Sequence, residues 1–419
     1  MTQNMPSNHI KKNICVVTAS RAEFGIMKPL IKQINECDKF SLQLVVTGSH
    51  LAEEFGSTVN EIIADDNLRI CREVEIINEF NVDNTALIMA ETMIKFSECF
   101  IELNPDMVVV LGDRYEIFSV SSVATTLNIP ICHLHGGETT EGAIDEAFRH
   151  GISKMSYLHF TASEEYRNRV IQLGEHPKRV FNVGALANES IDNLQLLSNE
   201  KLNEKLDFNV DTNTFLVTFH PVTLGGSLKV VEQQFKQLLI ALEYAMEKKN
   251  LKIIFTKANA DSGGIVVNRM IDHFVKKFDQ NAIAFHSLGQ LRYFSALKYC
   301  GGVIGNSSSG IIEVPMFKKV SINIGNRQRG RTQAESVINC SADAKQILGA
   351  IATSLSSDFQ EKLASVKSPY INNENLNNKT ISQYICEKMI ECFDHRIDLR
   401  KQFFNLKFSN NLYELGLKK

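Results

Sequence analysis

The 419-residue sequence predicts an α/β fold of two doubly wound, Rossmann-like domains facing a cleft. Three observations carry that expectation. Short continuous runs of Val, Ile, Leu and Phe alternate with longer stretches whose apolar residues recur at helical spacing, the pattern of parallel strands covered on both faces. The alternation occurs twice along the chain. Between the two series, residues 191–213 are polar, Asn-rich and weakly patterned, which reads as an inter-domain linker.

In the first series NICVVT (13–18) is a strand, and 24–37 is a helix with Phe24, Met27, Ile31 and Ile34 on one face. The strands LQLVVTG (42–48) and REVEII (72–77) follow, then a helix over about 84–103, the strand MVVVLGD (107–113), a helix over about 116–127 and the strand IPICHLH (129–135). LHFTAS (158–163) is a further strand, and Ser163 is placed to cap a helix that begins Glu164-Glu165 and stops at Gly174. The second series has strands at 214–220, 251–257, 282–287, 301–306 and 319–325, with helices over 229–248, 264–278 and 290–299. A last helix over about 377–395 is expected to pack back on the first domain. The domains accordingly run over 1–195 and 205–375, and 396–419 is a basic-ended tail.

Composition narrows the function. A net charge of −3 argues against a broad electrostatic grip on nucleic acid or on an anionic membrane, so neither is an expected partner. Nine cysteines (15, 37, 71, 99, 132, 300, 340, 386 and 392) are scattered, odd in number and never arranged as CxxC, which suits buried thiols in a reducing cytoplasm. The N-terminus lacks the apolar core of a signal peptide, and no run approaches the roughly 20 apolar residues of a membrane span. The expected location is cytoplasmic.

Ligands of doubly wound sheets sit outside the carboxyl ends of the strands, and the chemistry-bearing residues fall there repeatedly. In the first half these are TASRAEFG (18–25), TGSHLAEEFG (47–56), GDRYE (112–116) and HLHGGETTEGAIDEAFRHGISKM (133–155), the last dense in histidines, carboxylates and glycines. In the second half they are FHPVTLGG (219–226), KANADSGG (257–264), GNSSSG (305–310) and GNRQRGR (325–331). GNSSSG joins a strand to a helix N-terminus and adds three hydroxyls, and GNRQRGR adds three guanidiniums, with Arg21 able to approach from the opposite domain. Either motif alone fits a plain connection or a solvated loop. At adjacent strand ends they favour a phosphate site without a Walker lysine. GxGxxG, GxxxxGK[ST], GxSxG and HExxH are all missing. His133 and His135 form HxH, which with Asp113 and Asp145 could make a metal set, the weaker reading.

Seven of these motifs, in this order and spacing from about Asn13 to Ile390, closely resemble the hydrolysing UDP-N-acetylglucosamine 2-epimerases that start bacterial sialic acid synthesis. The resemblance implies a fold like that of many glycosyltransferases (GT-B-like), UDP held mainly by the second domain, and the sugar pressed against the first. It implies no metal and no other cofactor, a UDP-sugar as the partner, and a homodimer or homotetramer. Carried across, it makes Arg21, His220, Asn259, Ser307, Ser308, Glu313 and Arg327 contacts to UDP, and places Arg114 and His50 near the diphosphate or the sugar. Asp113 and Asp145 match acidic positions used in the chemistry, and His135 and Glu138 complete the proposed catalytic set.

The implied reaction needs such groups. Cleaving the C1–O bond to UDP builds oxocarbenium character, loss of the C2 proton gives a glycal, and water then adds at C1 while a proton returns to C2 from the other face. Asp145 takes the functional reading and Glu146 the structural one, and Gly136, Gly137 and Gly142 let the chain turn tightly against a sugar. The family commonly reads HIEGGE where this chain has His135 in place of the first glutamate, together with an extra loop residue. Relatives with H-[IL]-H-G-G-E resemble the branch acting on UDP-2,4-diacetamido-2,4,6-trideoxyglucose (UDP-N,N'-diacetylbacillosamine) for legionaminic acid. The competing readings are a retaining glycosyltransferase of the same architecture, a catalytically silent UDP-sugar sensor, and a metal hydrolase built on HxH.

Overall fold

In the first half of the chain, seven short strands pair side by side and all run parallel: β1 (Lys12–Thr18), β2 (Phe40–Thr47), β3 (Ile70–Val74), β4 (Met107–Leu111), β5 (Ile131–Leu134), β6 (Leu158–Thr161) and β7 (Val180–Asn182). Their order is β3-β2-β1-β4-β5-β6-β7. This is a computed structural model describing residues 11–52, 58–78, 81, 84–141, 144–221, 228–258, 262–372 and 374–406. The second half forms another parallel sheet from β8 (Thr214–Thr218), β9 (Lys252–Thr256), β10 (Ala282–Phe285), β11 (Gly302–Gly305), β12 (Val320–Ile324) and β13 (Val337–Cys340), ordered β10-β9-β8-β11-β12-β13. In each sheet the strand order reverses beside the first strand of its half, between β1 and β4 and between β8 and β11, the switch points of doubly wound folds.

Continuous apolar strands result from burial on both faces. On β8, Phe215 and Val217 join one core with Leu238, Leu242 and Phe255. Leu216 between them joins another with Ile254, Phe294 and Leu297. In the first sheet Cys15, Val17, Val108 and Val110 pack with Phe96, Phe100 and Ile117, while Ile14, Val16 and Val109 are buried on the opposite side of the pleat. The helices start where the chain offers caps: Ser20, Asn84, Ser163 and Thr380 each accept a backbone N–H of the first turn, and Thr380 with Gln383 closes a capping box.

By contacts the chain divides into two units, 1–138 with 147–183 and 373–419, and 139–146 with 184–372. The helix Ile381–Asp394 therefore belongs with the first unit, where Phe393 meets Phe40 edge-on at 6.4 Å and lies under the Lys12 ammonium at 5.6 Å. The stretch read as a linker is instead part of the second unit. It contains the helix Asn199–Leu206, and Leu202, Leu206 and Val210 are at most 2% exposed in the core under β8. Burying two leucines is worth about 3–6 kcal/mol, too much for a solvated connection. Among the described residues no helix is long and apolar enough to cross a membrane, and no cysteine is joined in a disulfide.

Candidate active site

In the first unit the carboxyl ends of β1, β4 and β5, neighbours in the sheet, carry a buried polar cluster. β5 stops at Leu134, and His135 turns into the left-handed region with φ 60° while its N–H donates to the Phe160 carbonyl of β6 at 2.8 Å. A histidine held there is strained, a condition tolerated mostly at functional positions. The turn carries Glu138 back, so that Glu138 Oε1 lies 3.2 Å from His135 Nδ1. The 3% exposed Arg149 unites the site. Its Nη1 donates to the His135 carbonyl at 3.1 Å and lies 3.6 Å from Glu138 Oε2, and its Nη2 binds Asp113 at the end of β4. One guanidinium thus spans two strand ends and two carboxylates. Asp113 remains the most accessible acid, its side chain 22% exposed against 3% for Glu138.

His133, one residue inside β5, is fully buried. Its Nε2 lies 2.8 Å from the Gly112 carbonyl, which only accepts, so Nε2 carries the proton and Nδ1 accepts from Ser153 Oγ at 3.1 Å. Both ring nitrogens are therefore committed, which removes His133 from the metal set that HxH suggested. Burial lowers its pKa to about 3. A group depressed in the folded state stabilises fully above its unfolded pKa of ~6.5 and loses that contribution as pH falls through about 3. Urea midpoints of the wild type should fall steeply between pH 6.5 and 4, with a shallower fall in His133→Asn; equal slopes would contradict the assignment.

Around β1, Ser20 caps the helix Arg21–Glu36. Glu23 turns back to accept the Ala19 N–H at 2.8 Å, and burial raises its carboxyl to about 7 although Arg114 opposes the shift. Arg114 is held by fully buried Glu116 through two hydrogen bonds of 3.1 and 2.6 Å. His50 is only 1% exposed, its ring nitrogens 3.0 Å from Thr18 Oγ1 and 2.9 Å from Thr58 Oγ1. It buttresses the strand end rather than presenting an edge. Arg21 lies on the surface in a two-point pair with Glu61, an exposed contact worth at most about 1 kcal/mol and easily exchanged for an anion. Gly137, at φ 78°, is required by packing within the protein: a Cβ there would lie 2.3 Å from the Tyr166 carbonyl. Gly136 likewise faces Ser153 and His133, and Gly142 lies outside the described residues.

In the second unit Asn306 is the hub. Its side chain accepts the His220 N–H and donates to the His220 carbonyl, both at 2.7 Å, tying the end of β8 to the end of β11. Its carbonyl accepts from Arg327 Nη1 at 3.1 Å and from Gln328 Nε2 at 2.8 Å. Burial first, and then Arg327, lower the His220 pKa to about 4. Gly305 has φ 145°, and a Cβ would sit 1.8 Å from the Thr218 carbonyl, so β11 must end in glycine. Ser307 and Ser308 form the turn into the helix Ser309–Ile312, and Glu313 caps its end. That helix has four residues, so the dipole behind GNSSSG is that of a single turn, and local N–H groups and hydroxyls carry any anion contact. Asn259 lies outside the described residues.

The loop 139–146 lies with the arginine loop of this same unit. Thr139 Oγ1 donates to the Gly330 carbonyl, Glu141 pairs with Arg329 at 3.0 Å, and Arg331 Nη2 donates to Thr140 Oγ1 at 3.5 Å. Glu146 accepts the Thr140 N–H at 2.6 Å, the structural role expected of it. Asp145 opens the helix Asp145–Met155 one turn before Arg149.

The structure thus brings together Asp113, His135 and Glu138 in the first unit, and His220 and Arg327 in the second. Sequence reading missed Arg149, Asn306, Glu23 and Glu116. The available signal for Arg149 was its phase, on the same helical face as buried Ile152 and Ser153.

Residues 32–380 match the model of the family described as UDP-N-acetylglucosamine 2-epimerase. The chain is 43% identical over 331 residues, 78% of its length and 84% of the relative's, to a Campylobacter jejuni protein named GDP/UDP-N,N'-diacetylbacillosamine 2-epimerase (hydrolyzing). It is 40% identical over 380 residues, 90% of its length and 95% of the relative's, to the Escherichia coli polysialic acid biosynthesis protein P7. Its fold is similar, with a TM-score of 0.74 at 16% identity, to the crystal structure of UDP-GlcNAc 2-epimerase from Neisseria meningitidis bound to UDP-GlcNAc, covering 90% of this chain and all of that one.

Proposed function

The chain belongs to the UDP-N-acetylglucosamine 2-epimerase family, and from that premise we propose that it is a hydrolysing UDP-sugar 2-epimerase, converting UDP-N-acetylglucosamine and water into N-acetylmannosamine and UDP. The observation that carries this reading is the Arg149 bridge, in which one guanidinium binds Asp113 after β4 and the backbone carbonyl of His135, whose ring is backed by Glu138, after the adjacent β5. The reaction asks for two proton-handling groups of different environment.

UDP leaves from C1 as positive charge builds on the ring, and Asp113, the accessible acid, meets the C2 proton. Glu138 acts through His135: its carboxylate accepts the Nδ1 proton and balances the charge of the ring when Nε2 carries a proton as well. His135 gives its Nε2 proton to C2 as water adds at C1 and loses a proton to solvent, Asp113 releases the proton it took, and Asp145 stabilises the developing charge. Ser307, Ser308, His220, Asn259, Arg327, Glu313 and Arg21 take UDP, with Arg114 and His50 supporting the sugar side. The enzyme works as a cytoplasmic homo-oligomer.

A second sugar is favoured by one specific pair of observations, His135 in place of a glutamate and the 43% identical relative named for N,N'-diacetylbacillosamine. Proton NMR in deuterated water, with UDP-N-acetylglucosamine and separately with UDP-N,N'-diacetylbacillosamine, tests both. Release of UDP with a manno-configured sugar deuterated at C2 is the expected result and names the substrate. Free gluco-configured sugar, or no UDP from either, rejects the reading.

A further inference from the structure

Residues 396–406, part of the segment read from the sequence as a tail, are built into the first unit. The Phe404 N–H donates to the Gly174 carbonyl at 2.8 Å, and the Phe404 ring meets His176 edge-on at 5.3 Å. Gly174 has φ 89°, and a Cβ there would lie 2.3 Å from the Phe403 ring, so the tail packs where a side chain is missing. Between these anchors Lys401 reaches inward. Its Nζ donates to the carbonyls of Lys154 at 2.7 Å and Ser156 at 2.6 Å, and to both oxygens of Glu175 at 3.0 Å. Glu175 is 1% exposed, also binds Lys154 Nζ at 2.7 Å, and lies 3.4 Å from His159 Nε2.

Lys154 lies in the last turn of the helix Asp145–Met155 and Ser156 directly follows it, where carbonyls have no donor within the helix. A cation there satisfies those carbonyls and complements the negative end of the helix dipole, and buried Glu175 balances its charge. Two other side chains of the same helix hold the site: Arg149 grips Asp113 and the His135 carbonyl, and Ser153 donates to His133. Sliding or fraying of this helix would move all of these contacts together.

We propose that Lys401, presented by residues 396–406, is a positioning residue for the reaction, fixing from outside the family-matched segment 32–380 the helix that carries Arg149. This rests on the epimerase reading. Steady-state kinetics, UDP titration and hydrogen exchange over 145–156 should be compared for wild type, Lys401→Met, Lys401→Arg and Phe404→Ser.

In Lys401→Met, kcat should fall by about tenfold or more, because sub-ångström displacement of reacting groups is costly, while KM and UDP affinity stay within about twofold. Exchange over 145–156 should quicken relative to the rest of the first unit, and Lys401→Arg should restore most of both. Phe404→Ser, which only loosens the anchor, should shift exchange and kcat in the same direction and keeps the test open if Lys401→Met does not fold. Wild-type kcat with unchanged exchange in Lys401→Met, or a Lys401→Arg no better than Lys401→Met, overturns the proposal. Failure of the wild type to release UDP from either sugar nucleotide overturns the epimerase reading instead, and the exchange comparison then still decides the role of Lys401.

Discussion

Asp113→Asn is expected to lower kcat by about 10³-fold, within the range lost with a general acid or base, while UDP binds within about twofold of wild type. The substitution keeps the shape at the end of β4 but removes the negative charge and the proton-accepting oxygen. Asp113 is not among the assigned UDP contacts, so nucleotide affinity should not report the change. Arg149 keeps Glu138 as an anionic partner at 3.6 Å, so the variant should fold. Calorimetric titration with UDP beside a UDP-release assay separates the two effects. Turnover undiminished in Asp113→Asn would remove Asp113 from the chemistry and with it the main reading of the site.

Arg149→Met should cost stability as well as activity. Arg149 is 3% exposed and Glu138 2%, so deleting the cation takes a fixed positive charge from beside a buried carboxylate, a loss of about 3–5 kcal/mol. Arg149→Lys tests geometry separately from charge. An ammonium is a single point donor and cannot span the His135 carbonyl, Glu138 and Asp113 as the planar fork does. It should fold, with kcat lower by about 10²-fold from misplacement of Asp113 and His135. Urea unfolding and kcat measured on both variants check this. An Arg149→Met protein within about 1 kcal/mol of wild-type stability would show that the bridge does not organise the site.

The fold was legible because burial on both faces leaves an unambiguous mark: no polar residue interrupts Ile14–Val17 or Met107–Leu111. Strand ends then told where chemistry would lie, and Asp113, His135 and Glu138 do converge there. What escaped notice had weak local signals. The helix Asn199–Leu206 reads NEKLNEKL, six polar residues around two leucines, indistinguishable by pattern from a solvated stretch. β13 is a half-exposed edge strand of four residues. Arg149 looked like an ordinary helical cation, because its partners Asp113 and Glu138 come from other elements. Lys401 meets Lys154 across 247 positions, a separation that no local pattern encodes.

Residues 139–146 cluster with 184–372 although their neighbours on both sides cluster with the first unit. The polypeptide therefore passes between the units four times, after 138, 146, 183 and 372. Chimeras spliced from two homologues at a single crossover near 184 would inherit a mismatched Thr139–Gly330 and Glu141–Arg329 seam. An exchange that respects the architecture has to transplant the short internal octapeptide along with the carboxyl-terminal half, and return residues 373–419 to their original parent.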